Sequence, residues 1–264
     1  MASEEYTEGE LMVSAAASEI EDGDTAFVGM RLPLIAFQVA VSTHAPNSMA
    51  VYESGVVRDS PAEGFIHTMC DLPNLNRAVS TTGMIDIMSR LQRGDVDVGF
   101  LGGAEVDRYG NLNTTWVQGD DQEIRLPGSG GACDIACLAD RTVLLMPHEP
   151  RRFVESVHYV TSPGYANDGS GHVSNGPGRN THPDAGGGPS ALVTSKATFG
   201  FDGEGELYLR SLHPGADEAT VLADFPWEVQ TAPDVGDGSV TTTPEPTSEE
   251  LELIRTFDPD GFWT

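Results

Sequence analysis

The stretch that decides the fold runs from Thr25 to Gly55 and reads TAFVGMRLPLIAFQVAVSTHAPNSMAVYESG. Its opening residues, Thr25 to Gly29, form an apolar run of strand length. Leu32 to Val41 (LPLIAFQVAV) predicts a helix with Pro33 in its first turn, where a missing N–H costs nothing. Ser48 to Tyr52 predicts the next strand, which leads directly into Glu53-Ser54-Gly55. Strand, helix and strand with short connections are the grammar of a βαβ unit and a parallel sheet. Open α/β sheets place reactive groups beyond the carboxyl ends of their strands, where Glu53 stands. Carboxylates are rare inside proteins unless paired or functional. Residue types alone leave Glu53 open between that role and a solvated strand-end carboxylate or helix cap.

Outward from this core, residues 9–21 (GELMVSAAASEIE) predict an amphipathic helix with Leu11, Ala15 and Ile20 facing inward, stopped at Gly23. Residues 83–92 predict a second helix, closed by Gly94. Residues 96–101 predict a strand running into a glycine pair, and residues 142–146 a buried strand. The glycine-rich segment 166–189 reads as a surface loop. Residues 191–194, 197–201 and 206–211 read as short antiparallel strands with a turn at Asp202-Gly203. The expected fold class is therefore α/β: an open, mostly parallel sheet flanked by helices, with a few short antiparallel strands in the C-terminal third. The expected organisation is one domain over residues 1–232 and a polar linker over 233–250. A C-terminal helix and tail, 251–264, should pack on the same domain.

Forty-one acidic residues against 14 basic ones give a formal net charge of -27. That charge repels nucleic acids and anionic membrane surfaces, so neither is an expected partner. Lys196 is the only lysine. An acidic, lysine-poor chain with 39% hydrophobic residues reads as a globular, halophilic protein whose carboxylates keep its surface hydrated in strong salt. Cys70, Cys133 and Cys137 form no CxxC pair and no metal set with a nearby histidine, so they read as buried free thiols and no metal is expected. The first ten residues, MASEEYTEGE, lack the basic and apolar regions of a signal peptide, and no run approaches a membrane span. The expected location is the cytoplasm.

Three segments carry chemical interest: Glu53-Ser54-Gly55, Gly103 to Asn113 (GAEVDRYGNLN) and Gly128 to Ala132 (GSGGA) before a short helix. A glycine-rich turn entering a helix presents unpaired N–H groups suited to an oxyanion or carboxylate, although many such turns only turn. Asn111 and Asn113 read as turn-shaping residues. Arg151 and Arg152 fit a phosphate or carboxylate ligand as well as they fit internal acids. No phosphate loop, HExxH zinc motif or Ser-His-Asp arrangement is present.

Six runs, in order, resemble the B (beta) subunit of the glutaconate CoA-transferase type, within the class I (family I) CoA-transferases. They are GMRLPLI (29–35), YESGVVRDSP (52–61), FLGGAEVDRYGNLNT (100–114), GSGGA (128–132), HEPRRF (148–153) and YVTSPG (159–164). The resemblance implies the CoA-transferase beta-subunit fold and makes Glu53 the nucleophile, forming an acyl-glutamyl anhydride and then a glutamyl-CoA thioester. It implies Gly128, Ser129, Gly130, Gly131 and Ala132 as an oxyanion or CoA site, with Ser54, Gly55, Gly29 and Arg31 near substrate. It implies coenzyme A and acyl-CoA as substrates with no tightly bound cofactor, and an A (alpha) subunit completing an active site at the A/B interface. The family often carries Gly-Thr-Gly-Leu-Pro where this chain has Gly29-Met30-Arg31-Leu32-Pro33, so a glycine has become Arg31. Two alternatives share the scaffold: an acyl-CoA or ring-opening hydrolase, and a non-catalytic partner chain that binds CoA esters. The ring-opening branch shares the DRYGN run but lacks the ESG glutamate in its corresponding chain, so Glu53 argues for the transferase.

Overall fold

The structure, a computed structural model, describes residues 5–119, 122–165, 187–231 and 240–264. The chain forms two compact units, residues up to 100 together with 244–264, and residues 101–243.

The first unit begins with α1 (Glu8–Ala17), closed by a capping box in which Thr7 and Glu10 exchange side-chain and backbone hydrogen bonds. Next come β1 (Thr25–Phe27), α2 (Leu32–Ser42), β2 (Met49–Val51) and β3 (Val56–Arg58). The unit continues through α3 (Leu72–Leu75), β4 (Ser80–Thr81), α4 (Met84–Gln92) and β5 (Val98–Leu101). Parallel pairing joins β5 to β1 and β1 to β2, with Phe27 opposite Val51 and Gly99. From β2 the chain doubles back, so β2–β3 and β3–β4 are antiparallel. The expected βαβ order is present, but the strand that carries Glu53 ends in a hairpin.

Both α1 and α2 are buried on all sides rather than amphipathic: every residue from Glu10 to Ala17 and from Pro33 to Val41 is inside. Gln38, the buried polar residue of α2, accepts a hydrogen bond from the Ala62 amide and so ties the loop after β3 to the helix. The last helix, residues 248–257, starts earlier than its apolar residues suggest because Thr247 and Glu250 form a second capping box. It packs on α1 and α2, and Arg255 reaches Glu10 at 2.7 Å.

The second unit opens with two hairpins, β6 (Glu105–Val106) with β7 (Leu112–Asn113) and β8 (Trp116–Gln118) with β9 (Glu123–Arg125). Then follow α5 (Ala132–Leu138), β10 (Arg141–Leu145), β11 (Pro189–Val193), β12 (Ala197–Phe201) and β13 (Leu207–Leu212). The unit closes with α6 (Glu218–Ala223), β14 (Gln230–Thr231) and β15 (Thr241–Thr242), leaving the last helix as α7. β10–β11 is parallel, β11–β12–β13 is antiparallel as expected, and β14 and β15 add to β13 in parallel. The fold class is α/β, as read from the sequence, with more antiparallel pairing than expected. Most of the 166–189 loop and the start of the 233–250 linker lie outside the described residues. Among the described residues no helix is long and apolar enough to cross a membrane.

The core of the second unit holds His148 among Phe153, Phe199 and Phe225, with ring centroids 4.8, 6.2 and 5.7 Å away. Burial, together with the Lys196 cation, holds this imidazole far below its usual range, at about 4, against the opposing pull of Asp224. It is neutral in the native protein and takes up a proton only when released. The contribution of this imidazole to stability is therefore fully present above pH 6.5 and is lost as acid passes from 6.5 towards 4. The pH dependence of urea unfolding should show this: between about pH 7.5 and about pH 4.5 the native protein loses on the order of 2–3 kcal/mol more than His148→Gln. Equal losses would mean that the imidazole titrates normally.

Candidate functional site

The expected residues Gly29, Arg31, Glu53, Ser54 and Gly55 all lie in the first unit, at the carboxyl ends of β1 and β2. Phe27 is level with Val51, and the ladder's last bond runs from the Val28 amide to the Val51 carbonyl at 3.0 Å, so Gly29 and Glu53 each follow just beyond it. Glu53-Ser54-Gly55 is the three-residue loop of the β2–β3 hairpin. The Tyr52 amide donates to the Val56 carbonyl and the Gly55 amide to the Tyr52 carbonyl, each at 2.9 Å. Such loops need a residue of positive φ, and Gly55 supplies it with φ of 107°. A side chain there would also overlap the Thr82 carbonyl, while the Thr82 amide donates to the Gly55 carbonyl at 2.8 Å.

The loop tip is braced from below. Ser54 donates to the Met69 carbonyl at 3.2 Å, and Asn74 donates to the same oxygen at 2.7 Å. Arg58, 1% exposed, donates to the carbonyls of Ser60 and Pro61 on one side and of Asn74 and Asn76 on the other. Burial lowers its pKa, and burial raises that of the enclosed Tyr52 phenol. One guanidinium thus gathers both ends of the segment that supports the hairpin. Residue types do not single out Arg58, although it lies in the 52–61 run. An arginine following Val56-Val57 on a strand is the available signal, but its partners are main-chain oxygens and leave no trace in residue types.

Against this dense bonding Glu53 stands apart. It is half-buried, and among the described residues its carboxylate has no hydrogen-bond or ion-pair partner. Arg31, at the N-cap of α2, is the second feature: its backbone sits at φ 72° and ψ -129°, a region that favours glycine. Its guanidinium lies 5.7 Å from the ring centre of Trp263, a residue that the sequence pattern does not mark. Gly29 is kept small by the Phe100 carbonyl, 3.2 Å from where a Cβ would stand.

Gly128 to Ala132 lie in the second unit. Gly128 and Gly130 adopt positive φ, and Thr114 clamps Gly128 by accepting from its amide and donating to its carbonyl. The Ser129 hydroxyl accepts from the Cys133 amide at 3.2 Å and its carbonyl from the Ala132 amide at 3.0 Å. Among the described residues the amides of Ser129, Gly130 and Gly131 have no acceptor, whereas that of Ala132 is used inside the turn.

In the DRYGN turn, Asp107 accepts from the Tyr109 and Asn111 amides and from the Asn111 side chain. Burial nevertheless raises its carboxyl to about 6. Asn113 bonds Glu105 and the Trp116 carbonyl, so both asparagines shape turns, as their residue types suggest. Arg151 and Arg152 both pair with Glu149, at 2.8 and 2.7 Å. Among the described residues the cysteines form no disulfide, but Cys70 and Cys133 are exposed rather than buried, since one sits in the 66–71 loop and the other on the outer face of α5. Among the described residues no cluster of three or more His, Cys, Asp or Glu side chains is placed to hold a metal.

Residues 10–223 match the coenzyme A transferase family. The chain is 34% identical to the B chain of 3-oxoadipate CoA-transferase from Pseudomonas knackmussii, covering 96% of this chain and 94% of that one. It is 33% identical to the B chain of glutaconate CoA-transferase from Acidaminococcus fermentans, covering 95% and 91%. The crystal structure of the latter organism's glutaconate CoA-transferase superposes with a TM-score of 0.81 at 28% identity, over 98% of this chain and 97% of the other. The chain belongs to the coenzyme A transferase family. Within it, the chain is a CoA-transferase subunit of the beta type.

Gly55→Ala combines a disfavoured φ with a clash against the Thr82 main chain. It should destabilise the protein by about 3 kcal/mol or more, measured by denaturant unfolding. A change within about 1 kcal/mol would show that the hairpin loop tolerates a different path.

Proposed function

We propose that this chain works with a separate A-type chain to move CoA between an acyl-CoA and a carboxylic acid, with Glu53 as the covalent carrier. A Glu53 oxygen attacks the acyl thioester carbonyl and expels CoA thiolate, leaving an acyl-glutamyl anhydride. The thiolate attacks the glutamyl carbonyl and releases the first carboxylate, leaving a glutamyl-CoA thioester. The acceptor carboxylate attacks that thioester, re-forming an anhydride and freeing the thiolate, which takes the new acyl group and regenerates Glu53. The observation that carries this reading is an unpaired, half-buried carboxylate on a turn braced by main-chain bonds on several sides. A carboxylate is a weak nucleophile in water and improves when partly desolvated and aimed. The free amides of Ser129, Gly130 and Gly131 suit an anionic oxygen of substrate or CoA.

The named B-type relatives support a two-chain enzyme. So does the surface beside the hairpin, where Leu72, Val79, Met84 and Ile85 expose 78, 54, 55 and 82% of their area. Thr82, in the middle of that stretch, bonds Gly55, so a partner covering these side chains would also abut the Glu53 turn. Large apolar side chains exposed to this degree are what interaction surfaces cover.

Borohydride treatment of the assembled enzyme with acyl-CoA, followed by mass spectrometry, should locate the reduced thioester on Glu53. Glu53→Gln should remove that adduct and lower turnover by about 10⁴-fold or more. An adduct elsewhere overturns the assignment, and undiminished turnover would make the chain structural. CoA release that ignores added carboxylate would mark a hydrolase.

Ile85→Glu alters only an exposed side chain, so it should leave thermal unfolding of the isolated chain within about 2 °C of the parent. It should weaken association with the A-type chain by roughly ten-fold or more, read by titration calorimetry. Unchanged association would place the interface elsewhere.

A further inference from the structure

Arg31 carries a conformational penalty that glycine would avoid: its φ of 72° and ψ of -129° lie where side chains are strained. The helix it precedes gains no side-chain cap from it. The side chain is exposed, and in a chain with 41 acids it has no carboxylate within ion-pair distance among the described residues. Neither packing nor an internal salt bridge accounts for the strain.

What the guanidinium does have is a platform. Trp263 is fixed on two sides, its amide donating to buried Asp258 at 2.8 Å and its indole N–H to the Ile66 carbonyl at 3.3 Å. Stacking on an aromatic face holds a guanidinium in place without neutralising it, and leaves its N–H edge free for a planar, bidentate anion. The location is equally specific. β1 and β2 run parallel with Phe27 opposite Val51, and Arg31 and Glu53 lie four and two residues beyond those ends. Both residues thus leave neighbouring parallel strands at the same end of the sheet.

We propose that Arg31, held on Trp263, binds the carboxylate at the far end of the acyl chain, so that this enzyme selects dicarboxylic acids and their mono-CoA esters. The inference rests on the transferase reading above and adds the substrate class. A guanidinium on the reacting carboxylate would quench its nucleophilicity. One anchored a short chain length away fixes the substrate and leaves the reacting end free for Glu53. The named relatives are transferases of 3-oxoadipate and glutaconate, both dicarboxylates.

The test measures kcat/KM of the assembled enzyme for pairs of acceptors matched in length, glutarate against pentanoate and succinate against butyrate. The parent enzyme should prefer each diacid. Arg31→Gln should cut that preference by about ten- to a hundred-fold, the effect of a charge-assisted hydrogen bond in a partly desolvated site. Arg31→Gly, which suits the backbone, should cut it equally while raising Tm by roughly 2–4 °C as strain is released. Mono- and diacids losing rate in equal proportion, an unchanged ratio in the glycine variant, or a parent with no diacid preference would each overturn the proposal. The Glu53 adduct is read separately by mass spectrometry, so a missing adduct counts against the covalent mechanism, and an unchanged ratio counts against Arg31 alone.

Discussion

A full positive charge sits inside the first unit with no acid bonded to it. Arg58 is held by carbonyl oxygens at residues 60, 61, 74 and 76. A buried cation without such partners would cost several kcal/mol, so the surrounding main chain must bring its oxygens to it. That requirement shapes the segment between β3 and β4. It draws both ends of the segment under the hairpin and puts the Met69 carbonyl within reach of Ser54. The Glu53 turn is then fixed from below by Ser54 and from the side by Gly55 against Thr82.

The site so built contrasts with its surroundings. Many charged groups in the chain are paired, as at Arg77–Glu63, Arg93–Asp95 and Arg255–Glu10. Glu53 and Arg31 have no such partner among the described residues, and they follow neighbouring parallel strands at the same end of the sheet. Each is held by main-chain geometry rather than by a counter-charge. That leaves the electrostatics of both available to a bound molecule. Strain is accepted at Arg31, where the side chain is left unpaired, and avoided by glycine where it only shapes the turn, as at Gly55.

Local pattern is a sound guide wherever neighbours in sequence are neighbours in space. The β1–α2–β2 order follows from apolar runs of the right length, and the Asp107–Asn111 turn from residues that bond their own main chain. The antiparallel set in the second unit follows from short runs broken at Asp202-Gly203. The hairpin after Glu53 is not legible, because Val56 to Arg58 is three residues long and no different in composition from a continued loop. Apolar spacing gives α1 a polar face. Its Glu10 and Ser14 are instead buried by the distant Arg255 and Glu250, which no periodicity reveals. Average behaviour assigns the cysteines to the interior, and the structure places two of them outside.

Sequence by itself determined the α/β class, the parallel pair at the heart of the first unit and the position of Glu53 at a strand's carboxyl end. These depend on apolar spacing, on a glycine after Ser54, and on runs that carry their own turn chemistry. Only the tertiary structure decided that Glu53 rides on a hairpin, that Arg58 holds that hairpin through carbonyl oxygens, and that Arg31 rests unpaired on the distant Trp263. The physical reason is common to all three. Main-chain oxygens, aromatic faces and backbone strain act over folded distances, and the one-letter code records none of them.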